Sequence, residues 1–372
     1  MKLTIERAAL LRSLAHVQNV VERRNAIPIL SNVLIEAKDG RLHLATTDMD
    51  IAIVDSSEAA VKQEGSTTAP VHTLYDIVRK LPEGAQAELS LNNDGSLLQL
   101  RAGRSNFSLS CLPKEDFPVI AEGALPHEFQ LAAEDLRTLI DCTRFAISTE
   151  ETRYYLNGIY CHAASADGVK VLRAVATDGH RLARLQMPLP EGAANMPGVI
   201  VPRKAVGELR KLLDETAETV TIALSDTKIR FSFESVVLSS KLIDGTFPDY
   251  DRVIPQNNDK ILEVDTKLLS EAVDRVSTIS TEKSRAVKLM LGKGSLSLQA
   301  TSPDAGSASE ELEVGYTAAP IEIGFNSRYL LDIAQQIEGG SMQFVFADAG
   351  SPTIIRDAAD QSALYVLMPM RV

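Results

Sequence analysis

The stretch VATDGHRLARLQMP, residues 175–188, sets Asp178 and His180 two positions apart around a glycine. On an extended strand that spacing points both side chains to one face, so a carboxylate–imidazole pair for acid–base work is one reading. Such a dyad needs a nucleophile and an orienting partner, and the neighbouring residues supply neither. The competing reading is a Gly-containing turn whose polar side chains satisfy its own backbone. No other chemistry-bearing pattern accompanies it. The chain has no GxxxxGK[ST] phosphate loop, no GxGxxG opening a helix, no HExxH, no CxxC and no GxSxG elbow. Its histidines (His16, His43, His72, His127, His162 and His180) have no metal-ligand spacing. Cys111, Cys142 and Cys161 are scattered, as reduced thiols of an intracellular protein would be. No catalytic residue, metal site or cofactor is expected.

The elements that must hold this turn are read from the patterning of the 372 residues. Hydrophobic residues make up 45% of the chain and charged residues 24%, ordinary values for a globular protein of two or three domains. No apolar run reaches the ~20 residues that span a bilayer. MKLTIERAALL is interrupted by Glu6 and Arg7, unlike a signal peptide, so a cytoplasmic protein with no membrane partner is expected. Period-2 segments such as RLHLATTD, AELSLN, LLQLRAG, FSLSCL and VTIALSDTKIRFSF predict strands.

Between them a helical unit recurs. A strand-like start leads into an apolar helix at Leu3 to Leu10, Phe129 to Leu136 and Leu262 to Leu269. A second helix follows in PVHTLYDIVRKL, PRKAVGELRKLL and NSRYLLDIAQQI, and each copy closes on an apolar–Pro step at Pro118, Pro248 and Pro369. Repetition of three landmarks in one order predicts three tandem α+β domains, each an antiparallel sheet with two helices. The expected domains are 1–122, 127–253 and 257–372, joined by AEGALPHE (121–128) and VIPQNNDK (253–260).

The net charge of −12 argues on average against nucleic acid, but a mean charge does not fix its distribution. Helical wheels place Arg12 with His16, Arg79, Arg137, Lys204 with Lys211, Lys267 and Arg328 opposite the apolar stripes. Every helix thus turns at least one cation outward. Solvated helix faces carry Lys and Arg as a matter of course, so this pattern alone leaves an ordinary surface as the stronger reading.

Taken together, ATDGHRLA (176–183), GTFPDYDRVIP (245–255), RYYLNG (153–158), VPRKAV (201–206) and YVLMPMRV (365–372) resemble the bacterial DNA sliding clamps, the β subunits of DNA polymerase III. VVERRNAIPILSNVLIEA (20–37) and LPKEDFP (112–118) match the same family, so the likeness runs over essentially the whole chain. The resemblance implies a head-to-tail homodimer forming a closed six-domain ring, with helices lining a hole for double-stranded DNA. It also implies a non-enzymatic processivity factor. Its partners would be the polymerase catalytic subunit, the clamp loader, and translesion and repair proteins carrying clamp-binding peptides.

By that likeness a peptide groove between the second and third domains is lined by Leu156, Thr177, Gly179, His180, Arg181, Leu182, Pro248, Arg252, Val253 and Pro352. Val366, Leu367, Met368, Pro369, Met370 and Arg371 complete it. Leu, Val, Pro and Met would form an apolar floor, with His180, Arg181 and Arg252 orienting the peptide at the edge. Arg24, Arg79, Lys80, Arg137, Tyr154, Tyr155, Arg203, Lys204 and Lys211 are the implied DNA-facing residues. Phe107 and Leu109 on an edge strand, with Thr278 and Ile279 opposite, are the implied dimer contacts; core burial is the other reading for the first pair. Asp251 stands where a basic residue is common, implying weaker attraction for acidic flanks, and Pro352 replaces a serine found in some relatives. A hydrolase using Asp178 and His180, and an acidic peptide scaffold that never encircles DNA, are the rival readings.

Overall fold

The computed structural model describes residues 1–118, 123–214, 219–280 and 285–372, so the end of the first expected domain at 121–122 lies outside the described residues. Six α-helices appear among the described residues: α1 (Arg7–Gln18), α2 (Val71–Lys80), α3 (Ala133–Arg144), α4 (Arg203–Leu213), α5 (Thr266–Ser277) and α6 (Ser327–Ala334). Each follows a strand directly, as the recurring pattern predicts. Asp265 caps α5 by accepting from the Leu268 amide, and Asn326 caps α6 by accepting from the Arg328 amide. The period-2 segments are strands, and the long run 220–233 folds back on itself as Thr219–Leu224 and Lys228–Phe233.

The chain folds as two compact units. The first comprises Met1–Leu136, Pro190–Met196 and Lys204–Leu242; the second comprises Arg137–Leu189, Pro197–Arg203 and Ile243–Val372. In the first, an eight-stranded sheet carries Val236–Lys241 beside Ile51–Glu58, joining a strand of the middle repeat to one of the first. A five-stranded sheet ends at Ser105–Ser110. In the second, an eight-stranded sheet sets Ala363–Leu367 beside Arg181–Pro188, joining the last repeat to the middle one. A four-stranded sheet ends at Gly306–Glu313. Both joins are antiparallel ladders, so the sheets continue across the repeat boundaries.

Apolar faces hold the helices down. Leu10, Leu14 and Val17 of α1 are buried, as are Leu74 and Val78 of α2, Val206, Leu209 and Leu213 of α4, and Leu269 and Val276 of α5. Three wheel positions depart from expectation: Arg137 and Lys204 are half-buried, and His16 departs furthest. His16 is buried rather than outward, because α1 lies across strands Arg41–Thr47 and Ile51–Glu58 and packs on α2. Its Nδ1 sits 2.7 Å from Asp55 Oδ2, and Ser235 Oγ donates to Asp55 Oδ1 at 2.8 Å. A polar group on a second packed face is satisfied by partners that a wheel does not show.

Burial alone pushes the Asp55 carboxyl up, but hydrogen bonds from His16 and Ser235 outweigh it and hold the acid below its ordinary value of 3.8. A carboxyl depressed on folding stabilises above its unfolded pKa, and that contribution is lost as pH falls through the folded value. Asp55→Asn is therefore expected to cost about 1–3 kcal/mol at neutral pH in urea unfolding. The gap to the parent should narrow as pH drops below about 4; a gap unchanged with pH would contradict this linkage.

Candidate functional site

The turn after strand Val169–Thr177 is closed by its own side chains. Thr177 Oγ1 accepts from the Gly179 amide at 3.1 Å and donates to the Arg181 carbonyl at 2.7 Å. Asp178 Oδ1 accepts from the amides of His180 and Arg181 at 2.9 and 3.0 Å. Gly179 has φ +89°, which glycine adopts without strain, and a Cβ there would lie 2.6 Å from Arg153 Nη1, so a side chain would have to displace the Arg153 guanidinium. Arg153 in turn donates to the Asp178 carbonyl and grips Glu150 through two hydrogen bonds. The Asp178 carboxylate is thus occupied in shaping the turn, while the His180 side chain points to solvent.

Arg181 differs from its expected place at the groove edge. Its side chain is only 10% exposed, with Nε on Asp178 Oδ2 (3.1 Å), Nη1 on Asp332 Oδ2 (2.6 Å) and Nη2 on the Phe145 carbonyl (2.6 Å). The guanidinium also lies 4.2 Å from the Tyr329 ring centroid and 5.2 Å from that of Phe145. A planar fork of donors satisfies three acceptors at once, so Arg181 braces the turn.

Beneath the turn lies an apolar cluster of Leu156, Val175, Leu182, Ile200, Phe247, Tyr250, Ile254 and Val366, with Ile354 and Leu364 packed against it. The segment 247–254 is stapled by its aromatics. Phe247 stacks on Tyr160 at 4.9 Å, and the Tyr250 hydroxyl bonds to His162 Nε2 at 2.8 Å and accepts from Arg173 at 3.3 Å. Burial holds the His162 imidazole below its ordinary value, and the nearby Arg173 charge adds to this. With Phe247 and Tyr250 inward, Pro248, Arg252 and Val253 are left exposed, and Arg252 pairs with Asp249 at 2.7 Å. Asp251 lies 3.6 Å from Arg173, so its charge is partly answered within the site.

The C-terminal segment closes the other side. The Met368 amide donates to the His180 carbonyl at 2.9 Å and the Met370 amide to the Gly324 carbonyl at 2.8 Å. This leaves Met368 exposed, Pro369 and Met370 half-buried and Arg371 exposed, whereas Val366 and Leu367 are core residues. Pro352 precedes Thr353, which pairs with Leu367, and its carbonyl accepts from Asn258 at 2.9 Å. All sixteen expected groove residues fall in the second unit. Asp332, Phe145, Tyr329 and Arg153 brace the turn, and no signal in the sequence near Arg181 pointed to Asp332, 151 positions away.

The expected DNA-facing residues divide between the units. In the first, Arg24 and Lys80 are exposed, Arg79 pairs with Asp76 at 3.3 Å and Lys211 with Glu208 at 2.8 Å. Lys204, expected to face outward, is half-buried: it pairs with Asp48 and donates to the Val20 carbonyl at 3.0 Å. In the second unit Arg203 and Tyr154 are exposed, while Tyr155 packs on the apolar cluster and Arg137 is half-buried rather than outward. Phe107 is half-buried and Leu109 is buried within the chain, while Thr278 is exposed and Ile279 half-buried. No group of metal-ligating side chains and no helix long and apolar enough to cross a membrane occurs among the described residues.

Removing Arg181 would strand two carboxylates in a nearly closed site. Arg181→Ala is expected to cost roughly 3–5 kcal/mol in urea unfolding, whereas His180→Ala should stay within about 0.5 kcal/mol of the parent. Equal effects of the two substitutions would contradict the bracing role.

Comparison with known proteins agrees with this architecture. Residues 1–121, 130–249 and 251–371 match the N-terminal, central and C-terminal domains of the DNA polymerase III beta subunit. The chain is 55% identical over 372 residues to a beta sliding clamp of Caulobacter vibrioides, with each chain covered in full. It is 40% identical over 373 residues to that of Escherichia coli K12, again with full coverage of both. A solved sliding clamp of Bartonella birtlesii bound to griselimycin has a TM-score of 0.97 at 54% identity, and a DNA polymerase sliding clamp from Caulobacter crescentus has 0.95 at 55%, with full coverage in both cases. Asp178 and His180 are therefore parts of a braced turn, and the chain belongs to the DNA polymerase III beta subunit family, the beta sliding clamps, which serve the polymerase as a non-catalytic processivity factor.

Proposed function

We propose that two copies of this chain close head to tail into a six-domain ring around duplex DNA. The ring tethers the polymerase, and in turn the clamp loader and repair proteins, through the apolar groove of the second unit. The observation that carries the reading is a pair of uncovered sheet edges. Ser105–Ser110 (SNFSLS) has neither charge nor proline to discourage pairing, and Gly306–Glu313 ends the four-stranded sheet. Pairing one edge with the other edge of a second copy leaves a complementary pair free, so two copies close with twofold symmetry. Thr278 and Ile279 directly follow α5, whose Arg275 reaches Glu310 of the second edge at 2.6 Å, which supports their placement at this contact. With Leu109 buried inside the chain, the backbone of the edge and Phe107 are what remain to meet the partner.

Enclosure answers a kinetic problem. Non-specific DNA binding has a Kd of ~10⁻⁴–10⁻⁶ M, and with steered association near ~10⁸ M⁻¹s⁻¹ a bound protein would leave within about 0.1–10 ms. Stronger phosphate contacts would hold it longer but hinder movement. A ring separates retention from affinity, and base-reading contacts have no place in it. Arg24, Lys80 and Arg203, all exposed, are the cations best placed to meet phosphate.

The groove suits a short peptide that inserts an apolar side chain, worth ~1.5–3 kcal/mol if fully buried. Exposed Met368 and half-buried Met370 adapt to different anchors, which suits a hub with several partners. Griselimycin on the Bartonella clamp fits a ligand-binding role for this family. Removing residues 368–372 is expected to weaken binding of a partner-derived peptide at least ~10-fold in fluorescence anisotropy, a loss of ~1.4 kcal/mol, while light scattering still reports a dimer. Monomers, or unchanged peptide affinity, would contradict the assignment.

A further inference from the structure

Strand Arg181–Pro188, which forms one side of the seam in the second unit, carries a second arginine, Arg184. It is half-buried, and its Nε is shut away from solvent without a hydrogen-bond partner. Among the described residues it forms no ion pair. The charges that reach it are Arg173, which repels it, and Asp251, which is 58% exposed and already pairs with Arg173 at 3.6 Å. Burial, and then the Arg173 charge, pull its pKa down, yet a guanidinium stays protonated at neutral pH. The other arginines of this sheet face find acceptors. Arg173 donates to Gln186 Oε1 at 3.2 Å and to the Tyr250 hydroxyl at 3.3 Å, and Arg356 donates to Gln343 Oε1 at 2.7 Å. A half-buried cation with unmet donors costs stability unless something answers it.

The strand registers set Arg184 beside the groove floor. Side chains two apart on a strand share a face, so Arg184 follows Leu182 on that face at ~7 Å. Leu182 pairs with Val366 and Val366 with Ile354, an apolar row. In the next row Val175 pairs with Arg184 and Arg184 with Leu364. Val175, Leu182, Val366 and Tyr250 belong to the buried cluster, and Leu364 packs against it. The guanidinium is thus set among apolar neighbours, where a carboxylate would interact with it more strongly than in water.

We propose that Arg184 is an acid-specific subsite of the peptide groove, receiving an Asp or Glu about two residues from the apolar side chain that fills the floor. An extended peptide advances ~3.4 Å per residue, so an acid two positions from its anchor spans the same ~7 Å. The planar fork takes a carboxylate through two parallel hydrogen bonds. A polynucleotide offers the charge but no side chain for the floor. The inference rests on the peptide-binding reading of the groove, and the test separates the two.

The probes are four fluorescein-labelled octapeptides: Gly-Glu-Ser-Leu-Phe-Ser-Glu-Gly and its forms with glutamine for the first, the second or both glutamates. Each is titrated in anisotropy against the full chain, Arg184→Gln and a chain lacking residues 368–372. At one of the two positions glutamine is expected to weaken binding to the parent about fivefold or more, and to Arg184→Gln less than about twofold. Arg184→Glu should then prefer lysine to glutamate at that position. Each comparison is between peptides on one protein, so a general loss of fold shifts all four alike. An equal glutamate effect in the parent and Arg184→Gln, or none at either position, overturns this inference; if truncation still abolishes binding, the groove reading stands. Binding unchanged by truncation, or no binding of any peptide to the parent, overturns the groove reading and the subsite with it. A twelve-base-pair duplex that displaces the peptides from the parent but not from Arg184→Gln assigns the cation to phosphate and also overturns the subsite.

Discussion

The structure depends on sheets shared between repeats: in each eight-stranded sheet, four strands of one repeat are continued by four strands of the next. Val237 faces Val54 across one seam, and Val366 faces Leu182 across the other. An antiparallel ladder leaves no free edge where two repeats meet, so the joins are as rigid as the sheets themselves. Each seam also fixes where a turn must end. The carbonyls of Asp50 and His180 are both held by an amide of the incoming strand, at 2.8 and 2.9 Å.

The electrostatics are consistent with weak, sequence-blind attraction. The chain carries a net charge of −12, and several of its helix cations are answered locally: Arg12 by Glu234, Arg79 by Asp76, Arg144 by Asp141 and Lys211 by Glu208. Exposed pairs of this kind contribute little to stability, and they also lower the potential a phosphate backbone would feel. Such a surface cannot hold DNA for long by affinity. Retention by enclosure needs only that it not repel the duplex strongly.

Features set by local chemistry were legible in the sequence. The alternating strands, the six helices and the Gly-containing turn at 177–181 each depend on residues a few positions apart. Features set by distant partners were not. His16 sits on a wheel position that reads as exposed, yet α1 packs on two faces and Asp55 waits 39 residues away. Arg181 looked like a groove-edge cation because its acceptors, Asp332 and the Phe145 carbonyl, lie 151 and 36 positions off. Lys204 was placed outward by the same wheel and is drawn in by Asp48, 156 positions away.

The central claim is that topology, not attraction, keeps this protein on its template. It is tested most directly by loading the chain with its clamp loader onto a nicked circular duplex and passing the product through gel filtration at moderate salt. Protein that stays with the circle and is released when one cut linearises it is the result predicted. Loss at the same rate from circle and linear fragment would contradict the account.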